Sequence, residues 1–505
     1  MSPLETMITE YLAGSSATYY VRQCAVIVAI FIFGSILCDL FLKKDTNLLM
    51  RAVIAYPTGL SAFVVTAYAM LTFGIPYSTL TVTAAVLIEA GTALFLNRKS
   101  LADSVAKDTI RRMIITLGAS LLVSLIACSG LIPVYISNDT MYYFKRYPEC
   151  IVHYGALRDQ FDSWLTDTGL GSVCIETLPS LLGFGESFGI REAFHINFLV
   201  FFGSTVYARS RQYLEGKNRI ATAVIVTVLL AMTTPFLILG HWALANMYFM
   251  ELFFIAAYTA FDVPGSTGTF STMLIALSLL RMEGTLFAVW LVLCIALYTE
   301  LGKKLSLYVL FPVALLFGLY CRKIFFDFYL FDDIYVFLTP QKAILLIAAV
   351  VLAAIWLLIV PQLPKGFTRL LPVIYIAGAV AANAMLAVRN SELYLGNLRT
   401  FGANLFGQSG WGMLPHLLIG MTLILVIEYL IRYIKRDGGV RKSNQVNITL
   451  TLGFILMALV ASFGRGDALS DYIGDSGNRV MLQVVPLIVM MYSELFMGLM
   501  YKRDR

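Results

Sequence analysis

Long apolar runs separated by short polar stretches make up most of this chain, from Cys24 to Tyr501. Many of these runs approach the roughly 20 residues that an α-helix needs to cross a hydrocarbon core about 30 Å thick. They are continuously apolar rather than alternating, which favours membrane helices over a transmembrane β-barrel. We therefore predict an all-α polytopic membrane protein with about 13–15 transmembrane helices. In chain order, the predicted spans are 24–42, 52–74, 78–96, 113–135, 193–208, 220–240, 243–261, 270–282, 284–300, 305–320, 341–360, 370–389, 415–434, 446–464 and 481–500.

The composition agrees with a membrane protein. Of the 505 residues, 59% are hydrophobic and 13% are charged, and the mean hydropathy is +0.79. A soluble domain carries about 25% charged residues, so a soluble globular protein is excluded. The seven cysteines show no CxxC or His/Cys spacing, so neither zinc nor redox chemistry is indicated. Cys150 and Cys174 share one polar segment, and the sequence allows either a disulfide between them or two free thiols.

Basic residues cluster in the short loops and at the C-terminal tail, so the net charge of +6 is unevenly distributed. The positive-inside rule places the clusters in the cytoplasm, which predicts an outside N-terminus and a cytoplasmic C-terminus. Neighbouring clusters are then separated by an even number of spans. The segment 270–282 is short for a crossing, and half of a broken helix is its alternative. The clusters are Lys43/Lys44/Arg51, Arg98/Lys99/Lys107/Arg111/Arg112, Arg209/Arg211/Lys217/Arg219, Lys303/Lys304, Lys365/Arg369, Arg432/Lys435/Arg436/Arg441/Lys442 and Lys502/Arg503/Arg505.

The longest polar segment, residues 136–192, is predicted to face outward. It carries Asp139 a few residues after an apolar run, followed by two tyrosines that are typical of a membrane interface. A carboxylate held just outside a bilayer could act as a base toward a lipid-borne substrate. Apolar side chains recur at helical spacing over 150–165, which predicts an amphipathic helix on the membrane surface. A segment that packs on the bilayer is more often functional than a tether.

Histidines and acids crowd the predicted outward side, including His153 and Glu176 in the same segment. Polar residues on one side suggest that chemistry takes place there. Outer loops also need charges simply because they are wet, and for most of these residues solvation is the favoured interpretation. Asp139 differs because of its position next to a span.

Two arginines lie where an anionic group could be bound. Arg281 and Glu283 are two residues apart between two apolar runs, where charges are costly unless they are paired or functional. Two roles are possible for Arg281: it pairs with Glu283, or it neutralises a phosphate. Arg479 follows two glycines and precedes the last span, and its guanidinium fork suits a phosphate oxygen. An interfacial arginine that holds the helix end is the alternative.

Three features occur in order: an Asn-Asp pair (Asn138-Asp139), an Arg-x-Glu-Gly hairpin (residues 281–284), and a Gly-Asn-Arg stretch (residues 477–479) before a helix that carries Pro486. Together they resemble the GT-C superfamily of integral-membrane glycosyltransferases, which use polyprenyl-phosphate sugars. The resemblance covers roughly residues 113–500. It implies a GT-C-like catalytic core at 113–505, including outer loop 136–192, preceded by an N-terminal three-helix membrane segment at 1–112.

The resemblance implies transfer of a sugar from a polyprenyl-phosphate donor to an extracytoplasmic glycan or lipid-linked acceptor. Asp139 maps onto the acid that serves as general base or positions the acceptor, and Arg479 and Arg281 map onto the donor-phosphate arginines. We add Glu283, Asn138, Glu176 and His153 as substrate-binding residues. Only some members bind a divalent cation, so metal dependence stays open, and no metal ligand is assigned. A second acid is open among Glu149, Asp159, Asp162, Glu176 and Glu186.

Two other functions are kept. A transporter or flippase of lipid-linked glycans needs charges buried within spans, for which Glu89, Glu428 and Glu494 are candidates. An O-antigen-type polymerase or ligase would gather arginines and a histidine on the outer loops, for which Arg399 with His416 is the basis.

No Walker A loop, GxSxG, HExxH or basic nucleic-acid-binding stretch occurs, so no nucleic-acid partner is expected. The first residues lack a basic n-region, which predicts no cleaved signal peptide. The expected location is a bacterial inner membrane, with the active site facing the exterior.

Overall fold

The computed structural model describes residues 17–43, 46–103, 106–129, 145–158, 169–183, 188–239, 245–327, 338–368, 370–407, 411–434, 442–464, 479–480 and 482–500. In these parts of the chain the protein consists of helices and contains no strand, which confirms an all-α polytopic architecture. The main helices are α1 (Ala17–Phe41), α2 (Leu48–Phe73), α3 (Thr79–Asp103), α4 (Ala106–Ala127), α5 (Tyr147–Tyr154), α6 (Leu170–Leu181), α7 (Phe188–Ser210), α8 (Lys217–Ala231), α9 (Thr234–Leu239), α10 (Ala245–Asp262), α11 (Thr267–Leu280), α12 (Gly284–Tyr298), α13 (Phe311–Arg322), α14 (Pro340–Ile359), α15 (Leu371–Arg389), α16 (Ser391–Phe406), α17 (Leu414–Ile434), α18 (Lys442–Gly464) and α19 (Val485–Met500).

Seven described helices are long and apolar enough to cross a membrane, judged by length and composition. A multi-pass integral membrane protein follows from them. Shorter apolar helices stand beside these seven, among them α6, α11 and α12. The seven lie at Tyr20–Phe41, Leu48–Phe73, Thr79–Arg98, Gly302–Phe326, Pro340–Gln362, Leu371–Arg389 and Asn444–Phe463.

Several helix bounds differ from the predicted spans. The predicted span 220–240 is two helices, since α8 ends at Ala231 and α9 begins at Thr234. Pro235 has no N–H to donate to the preceding turn, which accounts for the interruption. The predicted loop 390–414 contains α16, which begins where the side chain of Asn390 accepts a hydrogen bond from the Leu393 N–H.

The helix within the long polar segment is shorter than predicted. It spans Tyr147–Tyr154 rather than 150–165, and it ends at Gly155, whose φ of 67° is left-handed. Glycine adopts this conformation without a Cβ penalty and is the usual residue just past a helix end. Residues 159–168 lie outside the described part of the chain. Cys150 and Cys174 are free thiols in the structure, so no disulfide joins them.

Helix α2 lies at the centre of the bundle, and most of its side chains are buried. It packs against α1 so closely that a Cβ added to Gly34 would lie 1.8 Å from the Ala55 carbonyl oxygen. A Cβ added to Gly59 would lie 2.3 Å from the Ile30 carbonyl oxygen. Small residues permit this close backbone approach, as in many membrane helix pairs. Both helices share one hydrophobic core with α7 and α11, and the predicted domain boundary at residue 112 stays a prediction.

Helices α11 and α12 form a buried hairpin. The Thr285 hydroxyl donates to the Ser278 carbonyl across it, at 3.0 Å. With 14 residues, α11 is about 21 Å long, shorter than a hydrocarbon core of about 30 Å. Met282 and Glu283 at the apex are 2% and 8% exposed, so the apex, residues 281–283, lies among neighbouring helices rather than in an extended outer loop. The segment predicted as 270–282 is a separate helix of this hairpin.

Candidate functional site

Five of the predicted site residues fall in the described part of the chain: His153, Glu176, Arg281, Glu283 and Arg479. Asn138 and Asp139 lie outside it, and their assignment stays a prediction. Three of the five, Glu176, Arg281 and Glu283, lie at one end of the bundle, where helices α6, α7 and α10 meet the apex of the α11–α12 hairpin.

A buried polar cluster occupies the beginnings of α7 and α10. Arg191, Glu192 and His195 lie on the first two turns of α7, and Tyr248 and Glu251 on the first two turns of α10. Arg191, Glu192, Tyr248 and Glu251 are all at most 4% exposed. Glu176 of α6 completes the set. We use "polar cluster" below for Glu176, Arg191, Glu192, His195, Tyr248 and Glu251.

His195 and Glu251 form the closest pair in the cluster. Nδ1 of His195 is 2.5 Å from Oε1 of Glu251, and the two side chains are 12% and 2% exposed. The imidazole ring lies between apolar neighbours, with its centroid 6.0 Å from that of Phe236 and 6.3 Å from that of Phe198. A carboxylate on one ring nitrogen fixes the orientation of a histidine.

Glu176 joins the long polar segment to this cluster. The Tyr248 hydroxyl donates to Oε1 of Glu176 at 3.0 Å. The Tyr56 hydroxyl of α2 donates to the Ile190 carbonyl at 2.8 Å, which connects α2 to the start of α7. The aromatic rings of Phe194 and Tyr248 also meet edge to face, with centroids 5.7 Å apart. Glu176 is therefore held among packed helices rather than in a hydrated loop.

Arg191 and Glu192 bring the remaining charges. The Arg191 guanidinium acts electrostatically on Glu192, His195, Tyr248 and Glu251. Oε2 of Glu192 is buried and accepts no hydrogen bond from any described residue. Nδ2 of Asn246, at the start of α10, is likewise buried without an acceptor in the described chain. Buried polar atoms in native proteins are nearly always bonded, and exceptions are often found where a ligand, water or proton is handled.

The hairpin apex presents an arginine with a fixed orientation. Nε of Arg281 donates to Oε1 of Glu283 at 2.5 Å, and NH1 donates to Oδ1 of Asn246 at 2.6 Å. The start of α6 lies against this apex, because a Cβ added to Gly169 would be 2.7 Å from the Arg281 Cα. Of the two sequence interpretations for Arg281, pairing with Glu283 is what the structure contains. Its side chain is 15% exposed, and NH2 lies outside these two hydrogen bonds.

The other two predicted site residues are His153 and Arg479. His153 is exposed on α5 and its ring meets that of Tyr154, with centroids 5.0 Å apart. Arg479 is half-buried, and it follows residues 465–478, which the structure does not describe. The described contacts therefore join three of the predicted site residues, Glu176, Arg281 and Glu283, to the start of α10.

The cluster and the apex together hold four carboxylates, two arginines and one histidine. Buried charges need partners, and this set has more acids than permanent bases, so it suits a bound proton or a cationic partner. Among the described residues no group of three or more His, Cys, Asp or Glu side chains is arranged to hold a metal ion. The arrangement can accept and release protons at carboxylates and at His195, and can present an arginine to an anion.

A second buried network lies at the other end of α7 and α10. Arg209 donates through Nε and NH2 to the two oxygens of Asp262, at 2.8 and 2.9 Å, and through NH1 to Oε2 of Glu494 at 2.9 Å. Asn447 accepts from NH1 of Arg209 and from the Tyr258 hydroxyl, at 3.3 and 2.9 Å, and donates to Glu494. Arg191 and Arg209 are 18 residues apart on α7, which places them about 27 Å apart along the axis. We use "Arg209 network" below for Arg209, Tyr258, Asp262, Asn447 and Glu494.

The sequence analysis did not single out Arg191, Glu192, Tyr248, Asn246 or Glu251. Glu251 is a lone acid inside the predicted span 243–261, and an ionisable residue within a membrane helix is by default a functional candidate. The spacing Arg191, Glu192 and His195 also places the three on one side of a helix. Both signals were present in the sequence. No family model, no curated protein and no solved structure matches the chain.

Proposed function

We propose that this protein is an integral-membrane glycosyltransferase that moves a sugar from a polyprenyl-phosphate donor to an extracytoplasmic glycan or lipid-linked acceptor. One observation carries the proposal. Carboxylates, a histidine and two arginines converge at one end of the bundle, where the start of α6 packs against the hairpin apex. Sugar transfer from a lipid phosphate needs these two capabilities, a base for the acceptor hydroxyl and a cation for the departing phosphate.

Arg281 supports the cationic half of this proposal. Glu283 and Asn246 hold its Nε and NH1, so the remaining guanidinium edge is oriented without a further entropic cost. A fixed positive charge in a poorly hydrated site stabilises a developing phosphate charge more than the same charge in water would. Arg479 is proposed as the second phosphate ligand, on the sequence motif alone.

Carboxylates support the base half. Asp139 is proposed as the general base because it follows a predicted span within the polar segment. Of the acids left open for a supporting role, Glu176 is the one that the structure connects to the polar cluster, through Tyr248. Glu176 would position the acceptor or relay its proton, and a positioned base of this kind contributes roughly 10²–10⁴-fold in rate.

The test uses purified protein in bilayers with a radiolabelled polyprenyl-phosphate hexose and an extract of membrane glycolipids as acceptor. We expect Asp139→Asn to lower transfer by about 10²–10⁴-fold. Arg281→Ala and Arg479→Ala should each lower it by about 10²–10³-fold, the usual loss when one charge-stabilising donor is removed. The double variant Lys303→Ala/Lys304→Ala, exposed and remote from the apex, is the matched control and should keep full activity. A chelator arm settles whether a divalent cation takes part.

The proposal fails if wild-type protein consumes no polyprenyl-phosphate donor while remaining folded. Transfer that survives Asp139→Asn would keep the reaction but remove Asp139 as the base. If Arg281→Lys retains activity and Arg281→Ala does not, charge alone matters. If both lose it, the oriented fork is required.

A transporter of lipid-linked glycans is the second candidate, and one observation favours it. Ionisable side chains are buried along α7 and α10 at both ends, in the polar cluster and in the Arg209 network. Buried charges along one helix pair are found in proton-coupled transport. Proteoliposomes loaded with a lipid-linked sugar discriminate the two functions. A transporter would make the lipid-linked sugar accessible to an external lectin without forming a new glycosidic bond. A transferase would form a glycosylated acceptor even when the protein is solubilised in detergent.

A further inference from the structure

A cavity of about 910 Å³ lies near the Arg209 network, between α2, α7 and α8. This volume is at the upper end of the 300–1,000 Å³ or so that organic ligands commonly occupy. The polar end of the cavity, at Arg211, is at the opposite end of α7 from the polar cluster, and its apolar wall extends back along α7 to Leu199. The proposed sugar transfer makes no use of it.

The cavity wall is amphipathic. Its apolar part follows one side of α7 and α8, from Leu199 and Val200 past Ala223 and Val224 to Val228. Val224 and Val228 are 57% and 53% exposed, so the cavity opens sideways, toward the surface that membrane lipid would cover. Its polar part comes from the helix ends and carries Arg211 and Arg219.

The rim carries an excess of positive charge. Asp262 also lines the cavity, but both of its oxygens accept hydrogen bonds from Arg209. Arg219 donates through NH2 to the Tyr207 carbonyl at 2.9 Å and lies over the Tyr207 ring at 4.0 Å. Its Nε is buried without an acceptor among the described residues. Arg211 is exposed, and within the described chain it forms no ion pair.

We propose that this cavity binds an anionic phospholipid of the surrounding bilayer. The phosphate lies between Arg211 and Arg219, where it neutralises two arginines and supplies an acceptor for Nε of Arg219. One acyl chain lies along the apolar wall between α7 and α8. That wall runs from Leu199 to Arg211, about 18 Å, which is close to the 15 Å or so of one hydrocarbon leaflet. Charge complementarity at the rim and the lateral opening identify a lipid rather than a soluble ligand as the occupant.

Native mass spectrometry of the purified full chain in a neutral detergent tests this assignment. Dioleoyl phosphatidylglycerol and dioleoyl phosphatidylcholine are titrated separately, so that only the headgroup differs. We expect phosphatidylglycerol to bind wild-type protein at least about tenfold more tightly. Arg211→Ala/Arg219→Ala should weaken phosphatidylglycerol binding by about 30-fold, the combined effect expected of two basic contacts at a membrane surface.

Two further variants separate the cavity from general surface charge. Val224→Trp fills the apolar wall and leaves both arginines in place, so it should weaken both lipids by a similar factor. Lys303→Ala/Lys304→Ala removes two exposed charges outside the cavity and should leave binding unchanged. The proposed site would be wrong if Arg211→Ala/Arg219→Ala still bound phosphatidylglycerol more tightly than phosphatidylcholine by the wild-type factor. It would also be wrong if Lys303→Ala/Lys304→Ala lost as much affinity for phosphatidylglycerol as the arginine variant. Tighter binding of polyprenyl phosphate than of phosphatidylglycerol would overturn the assignment to a bilayer phospholipid. Size-exclusion profiles confirm that each variant is folded.

Discussion

Removing the Arg209 side chain should destabilise the protein more than any other single change in its network. Arg209 is 7% exposed and uses Nε, NH1 and NH2 in four hydrogen bonds, to Asp262, Glu494 and Asn447. Its guanidinium also lies 4.7 Å from the centre of the Tyr258 ring. Arg209→Ala therefore leaves Glu494, which is fully buried, without its cation.

The magnitude follows from the partner that is left behind. Breaking a buried ion pair by removing one member costs about 3–5 kcal/mol, because an uncompensated charge stays in a poorly hydrated site. Glu494→Gln leaves Arg209 with both Asp262 hydrogen bonds, so it should cost only about 1.5–3 kcal/mol, the range for one charged hydrogen bond. In the double variant the orphaned acid is absent. The two changes should therefore be less than additive, with a coupling of about 1–3 kcal/mol.

The assay is a denaturant titration in mixed micelles, with the free energy of unfolding read from circular dichroism. Lys217→Ala, an exposed substitution at the start of α8, is the control and should stay within about 0.5 kcal/mol of wild type. An Arg209→Ala variant within about 1 kcal/mol of wild type would refute the reasoning. So would strict additivity with Glu494→Gln, because the network would then not act as a unit.

Further changes test the helix packing, the topology and one thiol. Gly34→Leu should prevent α1 from approaching α2 and should severely reduce the yield of folded protein. Gly91→Leu is the control and should be tolerated, because a Cβ added at Gly91 meets no atom within 4 Å. Equal yields of the two variants would contradict the close packing of α1 on α2. In a cysteine-free background, His153→Cys should react with an impermeant maleimide in intact cells, because residue 153 is predicted to face outward. Lys303→Cys should react only after the cells are permeabilised. The reverse pattern would show that the predicted orientation in the membrane is inverted. Burial raises the pKa of the Cys150 thiol above its usual value, against the opposing charge of Arg146. Since the thiolate is the reactive form, a lone Cys150 should alkylate more slowly near pH 7 than a lone cysteine at 153, and its rate should still rise above pH 9; a plateau below pH 8 would contradict this.

The apolar helices could be predicted from sequence because their signal is local. The predicted spans 341–360 and 370–389 agree with α14 and α15 within one residue at each end. Helix α16 could not be found in this way. It carries Asn397 and Asn404, both buried, and buried amides within a helix resemble a loop when only composition is considered.

The site was less accessible to sequence because its contacts are distant along the chain. Arg281 and Glu283 are two residues apart, so their pairing could be foreseen from the cost of burying charges. His195 and Glu251 are 56 residues apart and lie on different helices. Nothing in the local pattern of either residue identifies the other as its partner. Only the packing of α7 against α10 brings them together.

The polar cluster and the Arg209 network should respond differently to substitution, because their buried carboxylates have different partners. Oε2 of Glu494 accepts hydrogen bonds from Arg209 and Asn447, although its Oε1 is buried without a donor among the described residues. Oε2 of Glu192 in the polar cluster is buried without any such donor. A carboxylate that is hydrogen-bonded to a buried arginine mainly stabilises the fold, while a buried acid without that partner costs stability and is kept where it serves a function. Glu192→Gln keeps the shape and removes a charge, so the free energy of unfolding should stay equal or rise by about 1–3 kcal/mol. Transfer of the sugar should fall by about 10²–10⁴-fold in the same variant if Glu192 moves a proton in the reaction. Glu192→Gln protein that is destabilised and fully active would instead place Glu192 with the Arg209 network, among residues that only hold the bundle together.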